Sequence, residues 1–218
     1  MYFCNYLQYT EIFVYFSHKL VSCPPPTWTN TLHRNGVKVL GTFIVEPGTS
    51  DLERLFELDD GEYVVAVQLA KMANKFGFDG WLLNIENDIP RFVQNPVQKM
   101  LNFVRALQRL LGPEKPLIWY DALTDENEVD YQNGLSLHNA EFALAAGALF
   151  TNYKWNDVKL DNTKITAEWH RVAPEKIYFG IDMWAQNTNM PGPKRVTYPK
   201  DGGGGTLTGL VSPPSVGD

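Results

Sequence analysis

The chain has 218 residues, 44% hydrophobic and 13% aromatic, with 19 basic against 25 acidic side chains for a net charge of −6. This composition excludes general disorder and supplies enough apolar mass for one domain with a sizeable core. Interspersed acids and bases with a net negative sign argue against nucleic acid or an anionic membrane as the main partner and favour a neutral ligand.

Taken in chain order, residues 11–16 read as a first strand, and Pro24-Pro25-Pro26 opens a short helix that Gly36 ends. Residues 37–44 form a second strand, closed by Glu46 and Pro47. Tyr63, Val64, Val67, Ala70 and Phe76 recur at helical spacing, with Gly77 as the stop. A third strand follows over residues 78–87. The clearest helix then has Pro96 in its first turn, a stripe of Val97, Met100, Leu101, Val104, Leu107 and Leu111, and Gly112-Pro113 as its end. Strands over residues 116–121, 148–153 and 176–182 alternate with helical segments at 140–146 and 163–172.

Strand exits carry polar or aromatic residues: His18, Glu46, Glu86, Tyr120 with Asp121, Trp155, and Asp182 with Trp184. Alternation with chemistry at strand C-termini predicts an α/β fold of the (β/α)8 TIM-type barrel class, because no Gly-rich phosphate turn follows the first strand. About six strand–helix units are present where a closed barrel needs eight and typically about 250 residues. The expectation is therefore a partial, C-terminally truncated barrel over residues 1–190. A disordered Gly/Pro-rich tail, holding Gly202-Gly203-Gly204-Gly205, is expected over 191–218.

The strongest chemical signal is Phe78-Asp79-Gly80-Trp81-Leu82-Leu83-Asn84-Ile85-Glu86-Asn87. On a strand Leu82, Asn84 and Glu86 share one face and Trp81, Leu83 and Ile85 the other, so one amide and one carboxylate look into a site. The spacing resembles the Asp-Gly-x-Asp-x-Asp-x-Glu strand of retaining chitinases, with Leu82 and Asn84 where that motif has acids. A glycosidase that uses the substrate's own 2-acetamido carbonyl as nucleophile needs one acid for the leaving oxygen and one group to hold the acetamide N–H. Asn84 can accept that N–H without placing a second negative charge beside Glu86.

Further fragments lie in the order and at the separations of a known family: Phe13-Val14-Tyr15-Phe16-Ser17-His18, Pro24-Pro25-Pro26-Thr27-Trp28-Thr29-Asn30, His33-Arg34-Asn35-Gly36-Val37, Val39-Leu40-Gly41-Thr42-Phe43-Ile44-Val45-Glu46, Trp119-Tyr120-Asp121-Ala122 and Phe179-Gly180-Ile181-Asp182. With residues 78–87 they resemble the cytosolic endo-β-N-acetylglucosaminidases, the ENGase-type glycoside hydrolases, over roughly residues 10–190. The resemblance implies that Asn84 orients the acetamide and that Glu86 serves as general acid and then general base. It also implies that Tyr120 hydrogen-bonds the oxazolinium intermediate or the acetamide. Glu46 and Trp155 correspond to a carboxylate and an aromatic lining the glycan cleft. Tyr131, in Tyr131-Gln132-Asn133, stands where the family usually has Trp, a smaller aromatic face expected to bear on acceptor preference.

The implied activity is hydrolysis of the GlcNAc-β1,4-GlcNAc bond of N-glycans or glycoproteins in the cytosol, with no cofactor, metal, nucleic acid or membrane partner; the oligomeric state stays open. Two other readings compete. In one, Glu46 is a nucleophile opposite Glu86, which requires carboxyl groups about 5–5.5 Å apart. In the other, the chain is a non-catalytic or inactive carbohydrate-binding fragment with unpaired barrel edges. Cys4 and Cys23 read as reduced thiols, the four histidines form no metal-ligand spacing, and no nucleophile-elbow, Walker or dinucleotide motif occurs. No signal peptide, membrane-length apolar run or N-glycosylation acceptor is present in the sequence.

Overall fold

A computed structural model describes residues 6–181. Its elements are β1 (Ile12–Val14), β2 (Val21–Ser22), α1 (Pro26–Arg34), β3 (Lys38–Val45), β4 (Leu58–Asp59), β5 (Glu62–Tyr63), α2 (Val64–Phe76), β6 (Gly80–Ile85), α3 (Pro96–Leu111), β7 (Leu117–Tyr120), α4 (Ala140–Ala146), β8 (Leu149–Phe150), α5 (Asp157–His170) and β9 (Ile177–Tyr178). The main sheet runs β1-β3-β6-β7-β8-β9, every step of that path parallel, while β2 adds an antiparallel rung to β3 and β4–β5 form a separate hairpin. The described residues therefore hold six parallel strands of the expected (β/α) barrel, with helices α1 to α5 between them. Asp182, Trp184 and the expected tail at 191–218 lie outside the described residues.

The sheet is curled. Ile12 and Val14 from the first strand and Tyr178 from the last line one space of about 230 Å³ together with Leu82, Ile118 and Phe150. Those side chains and Leu40 form the inner apolar layer. The outer layer is larger: Phe43, Val45, Trp81, Leu83, Ile85, Leu117, Trp119 and Leu149 pack with Leu69, Ala73, Met100, Phe103, Val104 and Phe142 from the helices. Burial on both sides is what a parallel strand needs, and each large apolar side chain so covered contributes about 1.5–3 kcal/mol.

Two tryptophans fix helices to strands. Trp81 donates its indole N–H to the Leu69 carbonyl at 3.1 Å, tying α2 to β6, and Phe78 meets it edge-on. Trp119 stacks on Phe142 with centroids 4.4 Å apart, tying α4 to β7. Helix ends follow the sequence signals: Pro96 opens α3, and Gly77 and Gly147 close α2 and α4 in the left-handed region.

Differences from the sequence reading sit at short or weakly patterned elements. The strands expected over 11–16, 116–121 and 148–153 contract to their central residues. Helix α5 starts at Asp157, well before the expected Thr163, under the side-chain cap of Asn156 on the Lys159 N–H. It buries only Thr163 and Ala167 and leaves Trp169 75% exposed, so its apolar period is faint. Two-residue strands such as β2, β4 and β5 have no period to read. Among the described residues no helix is long and apolar enough to cross a membrane.

Gly80 sits where β6 approaches the Pro116 carbonyl so closely that a Cβ would overlap the oxygen. Gly80→Ala is expected to force β6 and β7 apart and to cost roughly 3 kcal/mol or more, the upper end of overpacking. A fall in the denaturation midpoint measures it; an unchanged midpoint would show that the strands separate freely.

Candidate active site

The candidate site lies at the carboxyl edge of the sheet. Because Trp81, Leu83 and Ile85 belong to the outer layer and Leu82 to the inner one, Asn84 and Glu86 take the inner face. Val45 pairs with Ile85, and the Glu86 N–H still donates to the Val45 carbonyl at 2.7 Å. The carboxylate thus leaves the backbone just past the last rung of the ladder, where β3 still holds the chain. Asn84 is 4% exposed, and its side-chain oxygen accepts no hydrogen bond from any described residue. Buried polar atoms are normally paired, so an open acceptor on the inner face is a candidate ligand contact.

Two phenols accompany this pair. Tyr131, from the loop after β7, lies beside the Glu86 carboxylate, and burial first, then that charge, push its phenol up to about 12. Tyr120, at the end of β7, lies with its ring 6.2 Å from that of Tyr131. Burial first, then Tyr131 and Glu86, hold its phenol well above the usual tyrosine range. Both rings stay protonated and neutral across physiological pH. Tyr120 donates to the Asn152 side-chain oxygen at 3.2 Å.

Behind the site, Asp121 is 1% exposed and gathers four donors: the N–H groups of Gln132 (3.1 Å), Asn133 (2.6 Å) and Asn152 (3.4 Å), and the Asn139 side-chain amide (3.0 Å). Burial pushes its carboxyl up, and the four donors oppose that. Asp121 therefore joins the loop after β7 to the end of β8. A second tie joins that loop to the one after β6. Asp88 accepts the Val129 N–H at 3.1 Å, and Asn127 bonds both backbone groups of Ile89 at 3.0 Å. Tyr131 and Glu86 sit on loops pinned to each other.

Of the residues expected from sequence, Asn84, Glu86, Tyr120 and Tyr131 are brought together. Glu46 follows the last β3 rung beside β6, and its carboxylate is engaged by His18 Nδ1 at 2.8 Å. Trp155 is 7% exposed, its indole N–H donated to the Gly180 carbonyl at 2.7 Å and its ring edge-on to Phe179. Sequence reasoning passed over Asn152, Asn133, Asn127 and Asp88. The available signal was the density of Asn and Asp in the loops after β6 and β7, since short polar side chains build loops by bonding nearby backbone. Asn127 and Asn133 both adopt positive φ, which asparagine tolerates better than most residues.

The family model "Glycosyl hydrolase family 85" matches residues 1–208. Cytosolic endo-beta-N-acetylglucosaminidase 2 of Arabidopsis thaliana is 38% identical over 183 residues, covering 82% of this chain and 25% of that protein. The cytosolic endo-beta-N-acetylglucosaminidase of Gallus gallus is 38% identical over 184 residues, covering 82% and 25%. The chain thus spans about a quarter of the length of these curated relatives. Among solved structures, the glycoside hydrolase domain of Endo-D from Streptococcus pneumoniae R6 superposes with a TM-score of 0.74 at 28% identity, over 82% of this chain and 30% of that one.

Asp121→Asn is expected to destabilise the protein by about 2–3 kcal/mol, because one end of the new amide is a donor facing donors. Chemical denaturation measures this, and a loss under about 0.5 kcal/mol would show that the four donors find other partners.

Proposed function

The chain belongs to glycosyl hydrolase family 85, and on that premise we propose that its site takes part in endo-acting hydrolysis of the GlcNAc-β1,4-GlcNAc bond in the chitobiose core of N-glycans. The observation that carries this reading is the buried, unpaired side-chain oxygen of Asn84, two residues before Glu86 on the inner face of β6. An amide acceptor at that place matches an acetamide N–H and leaves one carboxyl group for proton transfer.

In this mechanism Asn84 holds the N–H of the 2-acetamido group so that its carbonyl oxygen faces the anomeric carbon. Glu86 gives its proton to the glycosidic oxygen as that C–O bond breaks, and the acetamide oxygen forms the new bond to the anomeric carbon. The resulting oxazolinium is then opened by water, whose proton returns to the Glu86 carboxylate. Tyr120, kept neutral by burial, stands next to this exchange without adding charge. Tyr131, beside the Glu86 carboxylate, is placed to bound the region where the leaving sugar or an acceptor sits. The substrates would be N-glycans and glycoproteins, and the names of the cytosolic relatives point to the cytosol as the compartment. No cofactor enters the scheme.

Incubation of the protein with a high-mannose N-glycopeptide should leave a peptide carrying a single GlcNAc. Glycan binding without that product would favour a non-catalytic carbohydrate-binding role.

Glu86→Gln should lower the cleavage of glycosides with poor leaving groups by about 10²–10⁴-fold, since the amide keeps the shape but has no proton to give. Activated aryl glycosides should suffer much less; equal losses on both substrates would remove the acid role. Asn84→Ala should lose hydrolysis of the natural bond yet still use a preformed oxazoline as donor, because Asn84 is needed to make that intermediate and Glu86 alone can activate the acceptor. An inert oxazoline with the variant, beside an active parent, would sink the substrate-assisted assignment.

A further inference from the structure

The hydroxyl proton of Tyr120 has its direction set by a chain of amides that begins at two backbone groups. The Asn133 side chain accepts from the Lys154 N–H at 2.9 Å and donates to the Tyr131 carbonyl at 2.7 Å. A backbone N–H can only donate and a backbone carbonyl can only accept, so these partners orient the Asn133 amide without ambiguity. Its oxygen also meets the Asn152 side chain at 3.1 Å, which must therefore be the nitrogen end of that amide. The Asn152 oxygen is left facing Tyr120, 3.2 Å away. An amide oxygen cannot donate, so the phenol must.

We propose that Asn152, oriented by Asn133, is a positioning residue that takes the Tyr120 proton and makes Tyr120 present oxygen lone pairs, not a hydrogen, to the substrate. The proposal rests on the glycosidase reading for what that substrate is. Under it, the partner of Tyr120 is a donor or an electron-poor centre: the acetamide N–H, a sugar hydroxyl, or the positively charged oxazolinium. A substrate carbonyl would have to compete with Asn152 for a single proton.

The network gives this geometry a firm base. Asp121 holds the backbone N–H groups of both Asn133 and Asn152, which fixes where the two side chains leave the chain, and turning either amide would set it against its own partners at Tyr131, Lys154 and Tyr120. Asn152 itself is buried. Among the described residues its side-chain hydrogen bonds go to Tyr120 and Asn133, so its route to the site is Tyr120, and its effect should vanish when the Tyr120 hydroxyl is absent.

Two measurements on the full chain test this. The tyrosine Raman doublet changes its intensity ratio between phenols that donate and phenols that only accept. The difference between the parent and Tyr120→Phe should carry the donor signature. The difference between Asn152→Leu and the double variant should have lost it. An unchanged donor signature in Asn152→Leu would overturn the proposal whether or not the protein cleaves glycan. In the second measurement, with a high-mannose N-glycopeptide, Asn152→Leu should lower kcat about tenfold with KM little changed, the scale of one lost buried hydrogen bond. Adding it to Tyr120→Phe should cost less than about twofold more. Additive losses would show that Asn152 acts by another route. If the parent yields no single-GlcNAc product, the glycosidase reading falls and the Raman result alone decides the polarity. Should Asn152→Leu fail to melt cooperatively, Asn133→Ala, one step further back, should weaken the same donor signature, and no change there would equally overturn it.

Discussion

The parallel ladder between β3 and β6 is the constraint on which the site depends. Six register pairs, from Leu40–Gly80 to Val45–Ile85, lock two buried strands together, and one more backbone bond carries the lock to Glu86. Because side chains alternate, that register alone decides that Asn84 and Glu86 look inward while Ile85 joins the core. A slip of one residue would bury the carboxylate among helices. The close approaches at Gly41, against the Trp81 ring and the Ser22 carbonyl, and at Gly80, against Pro116, leave little room for such a slip.

Hydrogen-bond satisfaction divides the carboxyl edge into two parts. Around Asp121 nearly every acceptor is used, and the loops it holds are fixed by several bonds at once. At Asn84 an equally buried oxygen is left open. Gln108 Oε1 on α3 and the outer-layer Trp119 Nε1 are also buried without a partner, but Asn84 carries the open acceptor on the inner face of the sheet, beside the site's carboxylate. The contrast, more than the presence of any one acid, is what supports reading this face as a site.

Much of this was legible in the sequence. Helices α2 and α3 announce themselves through stripe, proline and glycine, and the inward pair Asn84 and Glu86 follows from period two on one strand. Tyr120 and Tyr131 could be named from family resemblance. The supporting shell could not, because Asp121, Asn133 and Asn152 converge from the end of β7, its following loop and the end of β8, and their partnerships depend on how parallel strands align. Loop asparagines are common, and nothing in one sequence tells a turn former from a network member. Trp155, which the resemblance offers as a cleft aromatic, gives its indole N–H to the Gly180 carbonyl and meets Phe179 edge-on, contacts that no period in the sequence announces.

Strands and loops carry different parts of the site, and this has a consequence for how the site can vary. Asn84, Glu86 and Tyr120 are placed by the sheet register, while Tyr131 is placed by hydrogen bonds between loops through Asp88, Asn127 and Asp121. The two phenols also have different neighbours: Tyr131 lies beside the Glu86 carboxylate, and Tyr120 commits its proton to Asn152. A change at the loop position can therefore alter what borders the acid without moving the acid or its amide neighbour. The tyrosine at that loop position sets its ring and hydroxyl beside the carboxylate that follows β6. Under the proposed function, the cut itself belongs to the strands, and the choice of what receives the sugar belongs to the loop.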